Sequence, residues 1–414
     1  VSETVAAPAA SRPPRVLFID VLRAFAILMM LQGHFVDTTL AVEFRNPDSW
    51  VYSLWHFMRG LTAPVFFTTT GLVFVYLLLK DGRPLSENKR VKKGIRRGIF
   101  LVFLGYALKM NLLAILFGHF YAWYFTIDVL HCIGLALLAL IGFYALHRAT
   151  GFPFWLMLLP AGALIFLLEP TMKAHDWSGW PKWLANFFTQ ENGSVFTIIP
   201  WMGYTLIGGV LGYVLHYRPR LAFRHWFPAA LALLGYAVSE GSHDALVFMD
   251  NLTGWRNFQA VADSNGYFWR LGHVLIAVSV FMWVIGRFER VPKLITSIGS
   301  ETLTIYAVHY VVLFGTWLGV GIFTFYNRNL GPWGSGLGAL AFVSAFVVMI
   351  YYIEPIRAFL YPRLEAAKMY VQRRLRIFLW RLITRRIPAV LQATGQYRPD
   401  RRVVRWLAAA RYLF

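Results

Sequence analysis

The chain has 414 residues, 58% of them hydrophobic, and a formal net charge of +20 at pH 7. Apolar runs of about 20 residues, the length that crosses a bilayer, recur along it and exclude a soluble globular domain. In a soluble protein such a charge would suggest nucleic acid. Here the surplus lies between the apolar runs and in the C-terminal tail, where anionic lipid headgroups account for it and no nucleic-acid partner is needed.

Hydropathy predicts about ten transmembrane helices, near residues 16–36, 60–80, 97–117, 124–146, 153–168, 195–216, 226–240, 267–286, 295–317 and 334–353. The runs are continuous rather than alternating, which argues against a barrel, and an open sheet cannot satisfy its backbone in lipid. The predicted fold is therefore an all-α polytopic membrane helix bundle. Three segments follow: a cytoplasmic N-terminal segment over 1–15, a membrane domain over 16–355, and a basic amphipathic cytoplasmic tail over 356–414.

Lys and Arg gather on one side of this arrangement. The connection after the second run holds Arg83, Lys89, Arg90, Lys92, Lys93, Arg96 and Arg97, which marks it as cytoplasmic. Arg218, Arg220 and Arg224, and then Arg287, Arg290 and Lys293, fall on the same side by alternation, as do both termini. The segments 37–59, 169–194, 241–266 and 318–333 then face outward. Among them, Asp176-Trp-Ser-Gly-Trp-Pro-Lys-Trp183 reads first as interfacial anchoring and second as a surface for stacking on sugars. The first run follows Ser11-Arg-Pro-Pro-Arg15 without a small-residue cleavage pattern, so it is expected to be retained. In the tail, Met369, Val371, Leu375, Phe378, Leu379, Leu382 and Ile383 interleave with Arg373, Arg374, Arg376, Arg381, Arg385 and Arg386. That pattern predicts a basic interfacial helix over 366–387 that binds membrane lipid. The single cysteine, Cys132, excludes an intrachain disulfide and reads as a small core residue.

The first run carries Asp20, Arg23 and His34. At about 100° per residue, Arg23 and His34 differ by about 20° around the helix and lie about 16 Å apart along it. Asp20 shares their face. Ionisable groups cost too much in lipid to face it, so this stripe points into the bundle, with His34 near the outer end. His34 is the leading general base, because imidazole titrates near neutral pH.

Other polar residues expected near the outer half are Asp37, His56, Arg59, His119, Asp128, His131, Arg270, His273 and His309. Asp128 and His131 are three apart, so the carboxylate is placed to orient or charge the imidazole, either as a second catalytic pair or as a polar contact between helices. Arg270 and His273 repeat that spacing and suit either an anionic group or packing. Thr62-Ala-Pro-Val-Phe-Phe-Thr-Thr-Thr-Gly71 permits a kink beside His34. Gly208 and Gly212 form a helix-packing motif. No His-Glu-x-x-His, paired-cysteine, phosphate-loop or dinucleotide motif occurs, so no metal is expected.

The segments Ile19-Asp-Val-Leu-Arg-Ala-Phe-Ala-Ile27, Gly33-His34 and Leu61-Thr-Ala-Pro-Val-Phe-Phe-Thr-Thr-Thr-Gly-Leu72 resemble membrane acyltransferases related to heparan-α-glucosaminide N-acetyltransferase. The arginine, ten residues, histidine spacing is also the hallmark of the wider transmembrane acyltransferase superfamily. Asp128-Val-Leu-His-Cys-Ile-Gly134, Pro200-Trp-Met-Gly203 and Ile298-Gly-Ser-Glu-Thr-Leu-Thr-Ile-Tyr-Ala-Val-His309 extend the similarity to about residue 355.

The resemblance implies an acyltransferase domain over 16–355 that moves an acetyl or other acyl group from cytoplasmic acetyl-CoA to a glycan or glycolipid across the membrane. It implies His34 as the catalytic histidine, either taking the proton from the acceptor or itself carrying the acyl group briefly, and Arg23 as its motif partner. Arg23 suits either pairing with Asp20 or contact with the coenzyme A arm. Lys93, Arg96 and Arg97 are candidate phosphate contacts, though lipid contacts explain them equally. Residence in a bacterial cytoplasmic membrane is expected, and a homo-oligomer is compatible. The chain lacks the large extracytoplasmic N-terminal region of the animal enzyme, so heparan sulfate is not the expected acceptor. Competing readings are a transporter or flippase using the same stripe, against which no repeated halves are found, and a catalytically inactive scaffold.

Overall fold

The computed structural model describes residues 17–264, 266–288 and 290–381. They are helical almost throughout. The main helices are α1 (Leu17–Thr39), α2 (Trp50–Leu79), α3 (Lys89–Lys109), α4 (Val129–Thr150), α5 (Phe154–Leu167), α6 (Ile198–Tyr217), α7 (Trp226–Thr253), α8 (Tyr267–Ile285), α9 (Lys293–Ser300), α10 (Thr302–Phe314), α11 (Pro332–Tyr351) and α12 (Ile353–Arg381). Among the described residues, seven helices are long and apolar enough to cross a membrane. The protein is an all-α integral membrane bundle. The three other expected crossings fall on α3, whose first half is strongly basic, on α7, which carries Glu240, Asp244 and Asp250, and on 295–317. That last segment is two helices, α9 and α10, broken at Glu301.

Two boundaries move for one reason. α2 begins at Trp50 rather than near 60, and α7 runs on to Thr253 rather than ending near 240. Hydropathy follows apolar side chains, whereas the backbone stays helical through polar turns that hydrogen-bond within the helix.

The bundle is drawn together where side chains are smallest. α2 and α6 touch backbone to backbone: a Cβ on Gly71 would strike the carbonyl of Thr205, and Cβ atoms on Gly208 and Gly212 would strike those of Thr68 and Leu72. Small residues four apart are what let membrane helices approach this closely. α3 meets α4 in the same manner, with Gly98 against the Gly134 carbonyl and Gly134 against that of Gly98. Around these seams lie buried clusters such as Phe67, Leu101, Leu108, Phe166 and Tyr204. Cys132 sits in that core, fully buried, and Trp177 of the Trp-rich segment stacks on Phe188 while Trp180 and Trp183 stay exposed.

The chain divides into two compact units, Val1–Val347 and Val348–Phe414. In the second, α12 is a long helix that runs through Pro362 and lays Arg363 over Phe359, 3.4 Å from the ring centroid. The predicted basic helix coincides with α12 as far as Arg381, and its remaining residues, 382–387, lie outside the described residues, as does the N-terminal segment 1–15.

Candidate active site

The polar stripe of α1 opens into two cavities within the first unit. Arg23 lines one of about 290 Å³, together with Thr70 of α2, Arg90, Lys93 and Arg97 of α3, and Ser300 and Thr302 at the α9–α10 break. We call it the arginine cavity. His34 lines the other, of about 340 Å³, with Met29, Met30 and Gly33 from its own helix, His56, Arg59 and Thr62 from α2, Asp128, Trp201 and Arg270. This is the histidine cavity. Phe66 and Tyr306 line both and stand between them.

Each wall follows from helical spacing. On α1, residues 23, 26, 29–30 and 33–34 recur every three or four positions, so one face passes from the first cavity to the second. On α3, Arg90, Lys93 and Arg97 lie within an arc of about 60°, and Arg96 lies about 60° further round. Arg96 accordingly does not line the cavity, while Arg90, which sequence reasoning passed over, does.

Arg23 donates from Nη2 to Thr302 Oγ1 at 3.0 Å, joining α1 to the first residue of α10. Beside it, the Gly299 position meets the Asp20 backbone, so no larger residue fits there. His34 makes no hydrogen bond with a described residue. Its ring stands 5.4 Å from that of His309 and 6.0 Å from that of Phe314. His309 is fully buried, and neither of its ring nitrogens has a hydrogen-bond partner among the described residues. The rim is held by Asp37, which pairs with Arg59 and, at 3.6 Å, with Arg45.

Asp128 and His131 do meet, but not through the expected contact between carboxylate and imidazole. Asp128 is the N-cap of α4, and its backbone N–H donates to His131 Nδ1 at 3.1 Å. The two form a capping box, which satisfies backbone donors that a helix start leaves free. His131 Nδ1 is thus an acceptor, and its proton sits on Nε2. The ring packs against Gly105 and Tyr106 and lines neither cavity. The Asp128 carboxylate faces the other way. It accepts from Val129 N–H at 2.7 Å, from Tyr306 Oη at 2.8 Å and from Tyr310 Oη.

Tyr306 and Tyr310 were missed by sequence reasoning. They lie four apart on α10, which was signal enough to place them on one face, but a tyrosine in an apolar run reads as packing until its partner is known. Lys109 was missed as well. It is buried at the end of α3 and donates to Thr126 O at 3.1 Å and Thr126 Oγ1 at 2.7 Å.

Of the remaining polar residues, Arg270 reaches the histidine cavity. His273 turns back to the Trp269 carbonyl, 2.8 Å away, and packs on Phe57. His119 is exposed in a connection.

A membrane-embedded helix bundle with ionisable groups converging on paired internal cavities has the construction of an integral membrane enzyme. Residues 15–250 match the family described as heparan-alpha-glucosaminide N-acetyltransferase, catalytic. The match spans more than half of the chain, which therefore belongs to this family of membrane acetyltransferases. No curated protein matches it. Arg270, Ser300, Thr302, Leu303 and Tyr306 lie beyond residue 250, so a minor part of the cavity walls comes from outside the matched region.

Proposed function

We propose that the protein transfers an acetyl group from cytoplasmic acetyl-CoA to a hydroxyl or amine of a glycan or glycolipid on the far side of the membrane. The observation that carries this reading is the pair of cavities meeting at Phe66 and Tyr306, one edged by cations and the other holding His34. In this orientation the arginine cavity opens to the cytoplasm, both termini lie on that side, and Arg90, Lys93 and Arg97 attract the anionic donor. The pantetheine arm lies along α1, where about 16 Å separate Arg23 from His34, a length compatible with its extended form. Arg23, tied to Thr302, lines its path.

At the histidine cavity the acceptor attacks the thioester carbonyl. His34 removes the proton from the acceptor as the new bond to the acetyl carbon forms. The tetrahedral species collapses with loss of the carbon–sulfur bond, and His34 returns the proton to the departing thiolate. Asp128, anchored by Tyr306, Tyr310 and Val129 N–H, supplies a fixed negative charge on the same cavity, which favours the imidazolium formed midway. His131 acts on this site only through the helix start it shares with Asp128.

The experiment is label transfer from radioactive acetyl-CoA to envelope glycans and lipids, in membranes holding the wild-type protein or His34→Ala at matched expression. Transfer that disappears in the variant supports the reading. No transfer in either membrane, with no coenzyme A binding, refutes the donor assignment and turns attention to transport.

A further inference from the structure

His309 is a buried ionisable side chain that the acetyl chemistry above leaves unused. It lies on α10 behind His34, lines neither cavity, and has no hydrogen bond at either ring nitrogen among the described residues. Its surroundings are aromatic. The rings of Tyr306, Tyr310 and Phe314 stand 5.0, 5.2 and 6.2 Å away between centroids, and both tyrosine hydroxyls are committed to Asp128. The Ile305 and Tyr306 carbonyls approach the imidazole from its own helix without hydrogen-bond geometry. Among the rings that touch it, His34, at 5.4 Å, is the one whose polar atoms are unengaged. An imidazole buried without a hydrogen bond is costly, and an apolar side chain would fill the same space without that cost, so its presence calls for a use during turnover.

The register of two helices brings it there. On α10, Thr302 and His309 are seven residues apart, which leaves about 20° between them around the helix. One face of α10 thus meets the Arg23 and His34 face of α1 twice, at the 3.0 Å bond from Arg23 to Thr302 and at the two imidazoles. Phe314 packs on both rings, 6.0 Å from His34 and 6.2 Å from His309. Two imidazoles joined N–H to N hold their centroids about 5 Å apart, so a small rotation of the rings completes the bond. Hydrogen bonds of this kind are commonly loose before substrate arrives and tighten with it.

Resting on the reading that His34 is the general base, we propose that His309 is its positioning residue: a ring nitrogen of His309 accepts a hydrogen bond from the His34 ring N–H that faces away from the substrate. The bond fixes the His34 tautomer and leaves its other nitrogen as the lone pair that meets the acceptor. When that nitrogen takes the acceptor proton, the bond to His309 stays in place and holds the imidazolium in line until the proton passes to the thiolate. His309 neither gains nor loses a proton. The Ile305 and Tyr306 carbonyls, which can only accept, favour the His309 tautomer whose proton is on their side and whose other nitrogen keeps its lone pair for His34.

The test is transfer of label from radioactive acetyl-CoA to envelope glycans and lipids, followed against acetyl-CoA concentration in membranes holding the full-length wild type, His34→Ala, His309→Leu, His309→Asn or His309→Gln at matched expression. His309→Leu should lower the rate at saturating acetyl-CoA about 10–100-fold and leave half-saturation where it is, because alignment is lost and donor binding is not. Its thermal midpoint in detergent should be unchanged or higher, since the substitution removes a buried polar group that has no bond to lose. Asparagine and glutamine carry an amide near the Nδ1 and Nε2 positions respectively, and one of them should recover most of the rate. A wild-type rate in His309→Leu, with transfer abolished by His34→Ala, overturns this inference and leaves the acetyl-transfer reading standing. A loss of rate that tracks a lowered midpoint and is shared by both amide variants also overturns it, since His309 then serves packing alone. A wild type that transfers nothing overturns the reading and the inference together.

Discussion

The two cavities share a helix face on α1 and a partition at Phe66 and Tyr306, yet they are furnished in opposite ways. At the arginine cavity, three cations project from one face of α3 with no carboxylate among the lining residues, and Arg23 donates to the neutral hydroxyl of Thr302. At the histidine cavity each carboxylate is held in place: Asp128 by two tyrosines and a backbone N–H, and Asp37 at the rim by Arg59 and Arg45. Uncompensated charge at the end of a bundle recruits a charged ligand, and its effect depends on salt. Compensated charge deeper in a bundle is preorganised, so it can answer a charge that appears only during reaction. On the proposed function, binding falls to the first cavity and proton transfer to the second.

That division can be broken by substitution, and the largest effect is expected at His34. Changing His34 to Ala should lower label transfer by about 10²–10⁴-fold, the range of general-base catalysis, while coenzyme A binding by displacement is retained. A variant that lost binding as well would merge the two roles.

Gly208→Leu attacks both cavities at once, because α2 contributes to each and its closest approach is to α6. Overpacking of this kind costs about 1–3 kcal/mol or more, and thermal unfolding in detergent should show it as a lowered midpoint with both functions impaired. Retained stability would mean that the seam yields.

Asp128→Asn keeps the shape but removes the charge that Tyr306 and Tyr310 hold. Transfer should fall about 10–100-fold at unchanged donor affinity, read by single-turnover label transfer. Arg23→Gln should act the other way, raising the donor dissociation constant about tenfold with little change in the rate at saturation. If Arg23→Gln slowed chemistry as strongly as Asp128→Asn, the contrast between the cavities would fail.

The smallest effect concerns pH. The folded Asp81 carboxyl is depressed from 3.8 to about 2, so the contribution of its pair with Arg83 is present above 3.8 and lost as pH falls through about 2. Donor affinity between about pH 5 and 8 should carry no titration from this pair, as binding measured across that window would show.

The parts of this picture that lie within one helix were legible beforehand. Arg23 and His34 share a face because eleven residues make three turns, and that arithmetic needs no partner. The same arithmetic applied to α3 groups Arg90, Lys93 and Arg97 and sets Arg96 about 60° outside their arc, and Arg96 is absent from the cavity wall. The break at Glu301 falls in Gly299-Ser300-Glu301-Thr302, a polar, glycine-containing interruption that hydropathy averaged over the whole 295–317 run passes over. Asp128 and His131 show the limit most clearly. Their spacing announced proximity, but whether carboxylate or backbone faces the imidazole depends on Asp128 lying just outside the helix, where its N–H is free.

By itself the sequence determined that the chain is an all-α membrane protein, that its ionisable stripe points inward, and that its first two helices carry an acyltransferase-like signature. Solvent penalties decide such matters, and they act residue by residue on apolar length and on buried charge. The tertiary structure alone decided that Tyr306 and Tyr310 reach Asp128 across 178 and 182 residues of chain, that Arg270 rather than His273 faces His34's cavity, and that two cavities meet at Phe66 and Tyr306. Those contacts depend on how helices rotate and approach through their glycine seams, a property of packed pairs that no single helix carries.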